Sequence, residues 1–160
     1  MGINCRIKDL LHYYNYMKCK KSIKVHQKNV DYKILSFPIH GDETGKLVAL
    51  EKGNDIPFEI KRVYYIWDTY KEAVRGKHAH RNLQQVIICV KGSCDFILDD
   101  GTNREIVHLD DPSKGLFITN NIWREFTNFS DDCVVMVLAS EHYQRDDYIL
   151  DYNEFISSLK

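Results

Sequence analysis

Residues 75–92 read RGKHAHRNLQQVIICVKG, and the architecture of the chain follows from how this stretch alternates. His78 and His80 stand two apart, so on an extended strand both imidazoles project to the same side. Gln85–Lys91 (QVIICVK) follows, apolar on both faces, as expected of a central strand covered on either side. Gly92-Ser93 supplies a turn, and Cys94–Leu98 returns. Spacing alone leaves two readings of the histidine pair: a functional site, or a polar pair satisfied within the barrel.

Working outward, the same rhythm continues. Asp99-Asp100-Gly101 carries the Asp-Gly signal of a tight hairpin, Glu105–Leu109 forms the next strand, and Asp110-Asp111-Pro112 ends it. Gly115–Thr119 and Cys133–Ser140 complete the C-terminal set. Toward the N-terminus, Ile60–Asp68 (IKRVYYIWD) alternates, with Arg62 and Tyr64 on one face and Val63, Tyr65 and Trp67 on the other. Ile56-Pro57-Phe58 leads into it as an extended piece. Lys46–Glu51 and Tyr32–Phe37 are two further strands, and Gly41–Gly45 is a turn. Strands recur at short intervals with no helix between them, which predicts an all-β sandwich or barrel. Only the tail departs: in Asp147–Lys160, Ile149, Tyr152, Phe155, Ile156 and Leu159 recur at helical spacing and predict a C-terminal helix packed on the barrel.

The chain has 160 residues, one domain on the usual prior of roughly 100–200 residues. Its formal net charge of −1 gives no basic surplus for nucleic-acid binding. No apolar run approaches the ~20 residues that span a bilayer, and the first residues lack the apolar core of a signal peptide, so neither membrane nor nucleic acid is an expected partner. The five cysteines, Cys5, Cys19, Cys89, Cys94 and Cys133, include no CxxC pair and are expected as free thiols in a reducing cytoplasm. Residues 1–28 stand apart as a basic extension, with Leu10, Leu11, Tyr14 and Met17 spaced for one face of a short helix. They are either a solvated arm or one that packs on a partner; residues 29–160 are the domain proper.

Gly76 before His78-Ala79-His80, then Gln85 after four residues and Gly92 after six more, resembles the first motif of the cupins. That resemblance implies a jelly-roll β-barrel. In the metal-dependent cupins a Glu stands where this chain has Gln85, and a third His lies in the region matching Gly115–Asn128, which here contains none. An amide is a poor ligand beside a carboxylate, so no metal or other cofactor is expected.

The stretch from Phe58 to Tyr152 is similar, in order, to the metal-free sugar 3,4-ketoisomerases, which act on thymidine-diphosphate-linked 4-keto-6-deoxyglucose. The segments carrying the likeness are Lys61–Ile66, Arg75-Gly76-x-His78-Ala79-His80, Gln85, Leu98-Asp99-Asp100-Gly101, Gly115-Leu116, Trp123, Phe129-Ser130-x-x-Cys133, Val137–Ser140 and Asp147-Tyr148-Ile149-x-x-Tyr152. Arg124 stands where members often carry a His, and Asn121 where a Pro is common.

This resemblance implies an isomerase, and names its residues. His78 is the base that moves a proton from C3 to C4, through an enediol. His80 is its partner and Tyr64 a donor from the same lumen. Arg62 and Arg75 match diphosphate geometry, with a structural ion pair as the lesser reading of Arg62. Gln85 bonds the sugar or a histidine. Trp123 either stacks on thymine or is a core aromatic, and Glu125 is a candidate relay on the same loop. The resemblance further implies a homodimer, and a product destined for an amino sugar of a surface polysaccharide. A related epimerase and a non-catalytic sugar-binding cupin are the alternative readings. Neither the product configuration at C4 nor thymidine against uridine is fixed by these residues.

Overall fold

The structure is a computed structural model and describes residues 30–160; the basic extension, with Cys5 and Cys19, lies outside the described residues. Twelve strands are formed: β1 Tyr32–Ser36, β2 His40–Asp42, β3 Gly45–Leu47, β4 Arg62–Ile66, β5 Arg75–His80, β6 Gln85–Lys91, β7 Cys94–Asp99, β8 Arg104–Leu109, β9 Lys114–Ile118, β10 Trp123–Thr127, β11 Val134–Ala139 and β12 Tyr148–Ile149. Among the described residues one α-helix, here α1, spans Tyr152–Ser158.

Two antiparallel five-stranded sheets carry the architecture, in the orders β1-β9-β6-β11-β4 and β12-β5-β10-β7-β8. Their inner faces share one core: Ile87, Cys89, Leu116, Val135 and Val137 from the first sheet pack with Phe96, Leu98, Val107 and Phe126 from the second. This is the expected all-β jelly-roll barrel with a short C-terminal helix. The run Gln85–Cys89 is buried throughout because β6 lies in the middle of its sheet and is covered on both sides. Its inward residues join the barrel core, while Val86 and Ile88 meet Phe37, Ile56 and Phe58, which fold over the outside.

Alternation in β4 runs as the sequence reading has it. Arg62, Tyr64 and Ile66 are half-buried toward the lumen, and Val63, Tyr65 and Trp67 face out. Three segments differ from the sequence expectation. In place of the expected strand Lys46–Glu51 and turn Gly41–Gly45, β3 Gly45–Leu47 pairs with β2 His40–Asp42 as a small separate hairpin whose turn is Glu43-Thr44. Trp123–Thr127, expected as a loop, is the strand β10 in the middle of the second sheet. The C-terminal helix begins at Tyr152 rather than near Asp147. Residues Arg145–Asp147 form a 3-10 turn, and Tyr148–Ile149 pair with His80 and Ala79 of β5. Asp151 sets the start of α1, its carboxylate accepting from the Glu154 backbone N–H. The apolar spacing survives because Ile149 and Phe155, one on a strand and one on a helix, close over the same cluster with Ala79 and Trp123.

Among the described residues no helix is long and apolar enough to cross a membrane.

Candidate active site

β5 brings the histidines to the site, and its backbone is irregular just before them. Gly76 has φ +84° and Lys77 φ +53°, and the pairing of β5 with β10 slips between Arg124 and Glu125. Such a bulge bends a strand and re-aims the side chains after it. Only glycine fits at position 76: a Cβ there would sit 2.7 Å from the Arg124 carbonyl oxygen and 3.2 Å from the Phe126 ring. Beyond the bulge, His78 and His80 project together as i,i+2 partners. Their ring centroids lie 4.7 Å apart, edge to face.

The imidazoles sit in unlike surroundings. His78 lines an open cavity of about 340 Å³ together with Arg62, Tyr64, Ile66, Arg75, Gly76, Phe126, Tyr143 and Tyr148. His80 is buried behind it, with the Tyr148 ring 4.2 Å away. Its Nδ1 lies 2.8 Å from Asp147 Oδ2, and Asp147 Oδ1 is held by the Asn82 backbone N–H at 2.8 Å. A carboxylate at Nδ1 favours the tautomer with the proton there, leaving Nε2 as an acceptor.

Burial, reinforced by the nearby positive charge of Arg124, holds both rings neutral at ordinary pH. His78 is lowered to about 4, mainly by desolvation, with the Gly76 backbone acting against it. His80 is lowered to about 3, by desolvation first and then by Arg124 and His78, against the opposing pull of Asp147.

Arg124 is itself buried, and burial lowers its pKa to about 10. Its guanidinium donates to the backbone oxygens of Ile122 and Thr119 and to Gln85 Oε1. The Gln85 amide nitrogen then donates to the Tyr64 hydroxyl at 2.8 Å. A phenol that accepts in this way keeps its own proton for a partner in the cavity. Burial raises the Tyr64 pKa, so the hydroxyl stays a donor.

Among the described residues two buried side-chain polar atoms have no partner, Arg62 Nε and His80 Nε2, and both belong to this site. Buried polar groups are nearly always hydrogen-bonded, and these two exceptions fall at one place. The Arg62 guanidinium is stacked over Tyr64 at 5.2 Å and over Tyr143 at 5.7 Å. Among the described residues Arg62 has no carboxylate partner within ion-pair distance.

The structure thus brings together His78, His80, Tyr64, Arg62, Arg75 and Gln85. It does not bring Trp123 or Glu125 into the cavity. Trp123 packs edge-on against Tyr152 at 5.2 Å and beside Phe155, beneath α1, and its Nε1 donates to Glu125 Oε1 at 3.0 Å. Trp123 is a core aromatic, and Glu125 is held by it and faces Arg104. Sequence reasoning passed over Asp147, Tyr148, Tyr143 and Arg124 as site residues. Asp147 and Tyr148 did carry a signal, since both fall in the segment on which the family likeness rests.

The profile of the FdtA family, described as WxcM-like, C-terminal, matches residues 30–160. A TDP-4-oxo-6-deoxy-alpha-D-glucose-3,4-oxoisomerase from Aneurinibacillus thermoaerophilus is 48% identical over 126 residues, covering 79% of this chain and 91% of that protein. A crystal structure of a 3,4-ketoisomerase from Helicobacter canadensis superposes with a TM-score of 0.79 at 50% identity, covering 81% of this chain and 97% of that one. QdtA, a sugar 3,4-ketoisomerase from Thermoanaerobacterium thermosaccharolyticum solved in complex with TDP, gives a TM-score of 0.80 at 42% identity, over 81% of this chain and 95% of that one.

Proposed function

The chain belongs to the FdtA family of WxcM-like proteins, matched over residues 30–160, and on that premise we propose that it is an enzyme, a 3,4-ketoisomerase acting on thymidine-diphosphate-linked 4-keto-6-deoxyglucose. One observation carries the reading: the two unpartnered buried nitrogens, Arg62 Nε and His80 Nε2, lie beside a neutral His78 and a Tyr64 hydroxyl with its proton free.

The C3 proton of a 4-keto sugar is acidified by the adjacent carbonyl. His78, neutral at working pH, removes it; the C3–H bond breaks and the electron pair flows to the C4 oxygen. Tyr64 donates a hydrogen bond to that oxygen as charge develops, the kind of preorganised donor that contributes most in a water-poor site. The O3 proton passes to O4 through the enediol, and C4 takes the carbon-bound proton back from His78, so the C3 carbinol becomes the ketone and the C4 ketone the carbinol within one sugar and no external redox partner is required. His80 Nε2 accepts from a sugar hydroxyl, and Asp147 keeps that nitrogen unprotonated.

Arg62 and Arg75 hold the diphosphate. Its negative charge, arriving near the cavity, opposes the effect of Arg124 and raises the basicity of His78 when the proton must move. Binding and activation of the base are thereby linked.

The outward residues Val63 and Tyr65 of β4, an edge strand of its sheet, form with Trp67 just beyond it an exposed apolar row continued by Tyr70. Such a row suits an isologous interface, and we assign it to a homodimer. The enzyme works in the cytoplasm, where its 3-keto product is an aminotransferase substrate on the way to an amino sugar of a surface polysaccharide.

The test is incubation with thymidine-diphosphate 4-keto-6-deoxyglucose in deuterated water, read by NMR. The proposal requires a ketone at C3. A ketone still at C4 with deuterium at C3 or C5 indicates an epimerase, and an unchanged sugar indicates a binding protein.

A further inference from the structure

A second cluster lies at the other end of the barrel, on the same inward row of β6. Gln85 serves the cavity, whereas Cys89, four residues on, sits roughly 13 Å along the strand at about 3.3 Å per residue. There Cys89, Cys94 and Cys133 converge. All three are free and buried, and their sulfurs lie within 4.8 Å of one another. Cys89 and Cys133 are 3.7 Å apart. An ion held about 2.3 Å from each sulfur, the usual zinc–thiolate length, spaces three sulfurs by about 3.7–4.0 Å.

The cluster is held from both sides by turns that lock together. The β6–β7 turn packs on residues 130–133 so closely that a Cβ on Gly92 would overlap the Ser130 hydroxyl and lie 2.9 Å from Cys133 Cα. Ser93 and Ser130 exchange bonds, Ser93 N–H to Ser130 Oγ at 2.9 Å and Ser130 N–H to the Ser93 carbonyl at 2.9 Å. Cysteines on three separate segments are therefore kept in fixed relation.

Charge and coordination decide what such a site takes. Among the described residues no fourth His, Cys, Asp or Glu joins the group, which leaves zinc short of its four ligands. Three thiolates around a monovalent ion would leave a net charge of −2 in an apolar core, a costly burial. Around a trivalent centre the charge cancels. We propose that Cys89, Cys94 and Cys133 form a buried binding site for a three-coordinate trivalent thiophilic element, entering as a neutral hydroxide such as arsenous acid.

The chemistry balances. Three arsenic–sulfur bonds form and three arsenic–oxygen bonds break. The three thiol protons leave with the three hydroxyls as water, and arsenic stays trivalent.

The test uses the full chain with Cys5→Ser and Cys19→Ser, reduced, with sodium arsenite as the probe. Native mass spectrometry is expected to show one arsenic gained and three hydrogens lost, with all three remaining thiols protected and a raised melting temperature, since binding favours the folded state. X-ray absorption at the arsenic edge should count three sulfurs. Cys133→Ser should abolish the adduct. No adduct, fewer than three sulfurs, an adduct that survives Cys133→Ser, or a lowered melting temperature would each overturn the assignment. Ketoisomerase turnover does not enter, so this site stands or fails independently of the function proposed above.

Discussion

The Gln85 amide nitrogen lies 2.8 Å from the Tyr64 hydroxyl oxygen and donates to it. Because Arg124 occupies Gln85 Oε1, the amide can present only its nitrogen to the phenol, and Tyr64 is left with one proton to give. A buried cation thus acts on the cavity through two neutral side chains.

Tyr64→Phe removes that proton while keeping the ring and its stacking under Arg62. Loss of a single donor to a developing oxyanion costs roughly 10²–10³ in kcat. We expect a fall of that size with KM changed by less than about threefold, because the interaction belongs to the transition state. Steady-state kinetics check it; an equal loss in KM would move Tyr64 to ground-state binding.

Asp147 acts through His80. Asp147→Asn keeps the size of the side chain but offers an amide that can donate to Nδ1 and invert the tautomer, as happens when the orienting carboxylate of a catalytic histidine is replaced. Turnover should fall by roughly tenfold or more with TDP affinity unchanged. In ¹⁵N spectra the His80 ring signals should move from the Nδ1-protonated pattern toward the Nε2-protonated one. A purely structural role would lower the melting temperature and leave the tautomer alone.

Both active-site histidines have pKa values depressed in the folded protein, His78 to about 4 and His80 to about 3, against about 6.5 unfolded. The neutral base therefore persists well below pH 6.5. We expect kcat/KM, which reports the free enzyme, to change by less than about twofold between pH 7.5 and 5.5, where an ordinary histidine would lose about tenfold. The kcat profile, which reports the complex, should have its acid limb at higher pH because the diphosphate raises His78. For stability the sign is the same. Below 6.5 the unfolded chain takes up protons that the folded one refuses, so stability is full above pH 6.5 and falls as the pH drops toward 4. His108, raised by its bond to Asp95, works in the opposite direction, but it is solvent-exposed and contributes little. Urea denaturation at pH 7.5 and 5.0 measures the net effect.

Gly76→Ala places a methyl group against the Arg124 carbonyl in a backbone conformation that L side chains rarely adopt. The cost is of order 1–3 kcal/mol. Because the bulge aims His78, turnover should fall more than stability does. Thermal melts and kcat on the same preparation separate the two.

The sequence carries the barrel because its strands obey period 2 wherever one face meets the core, as in Arg62–Ile66, or form a continuous apolar run where both faces do, as in Gln85–Cys89. It hides β10 because Trp123-Arg124-Glu125 looks like a polar loop. Arg124 is nonetheless buried, and its charge is carried by carbonyls and by Gln85, a compensation no local pattern records. Tyr148 and Ile149 read as helix because Ile149, Tyr152, Phe155, Ile156 and Leu159 recur at helical spacing, while the backbone of Tyr148 and Ile149 is committed to β5. The histidine pair was legible from i,i+2 spacing. Asp147 was not, since it lies 67 residues away from His80 and only closure of the C-terminal segment brings it near. Trp123, which its residue type suits to either a ligand or the core, is fixed under α1.

The most direct test of the central claim is turnover of thymidine-diphosphate 4-keto-6-deoxyglucose by His78→Asn. Proton transfer by a positioned base contributes roughly 10²–10⁴ in rate, and His78 is assigned both the removal and the return. The account predicts a loss of at least about 10³-fold, with circular dichroism and TDP binding retained. Turnover within about threefold of the parent protein would mean that another group carries the proton.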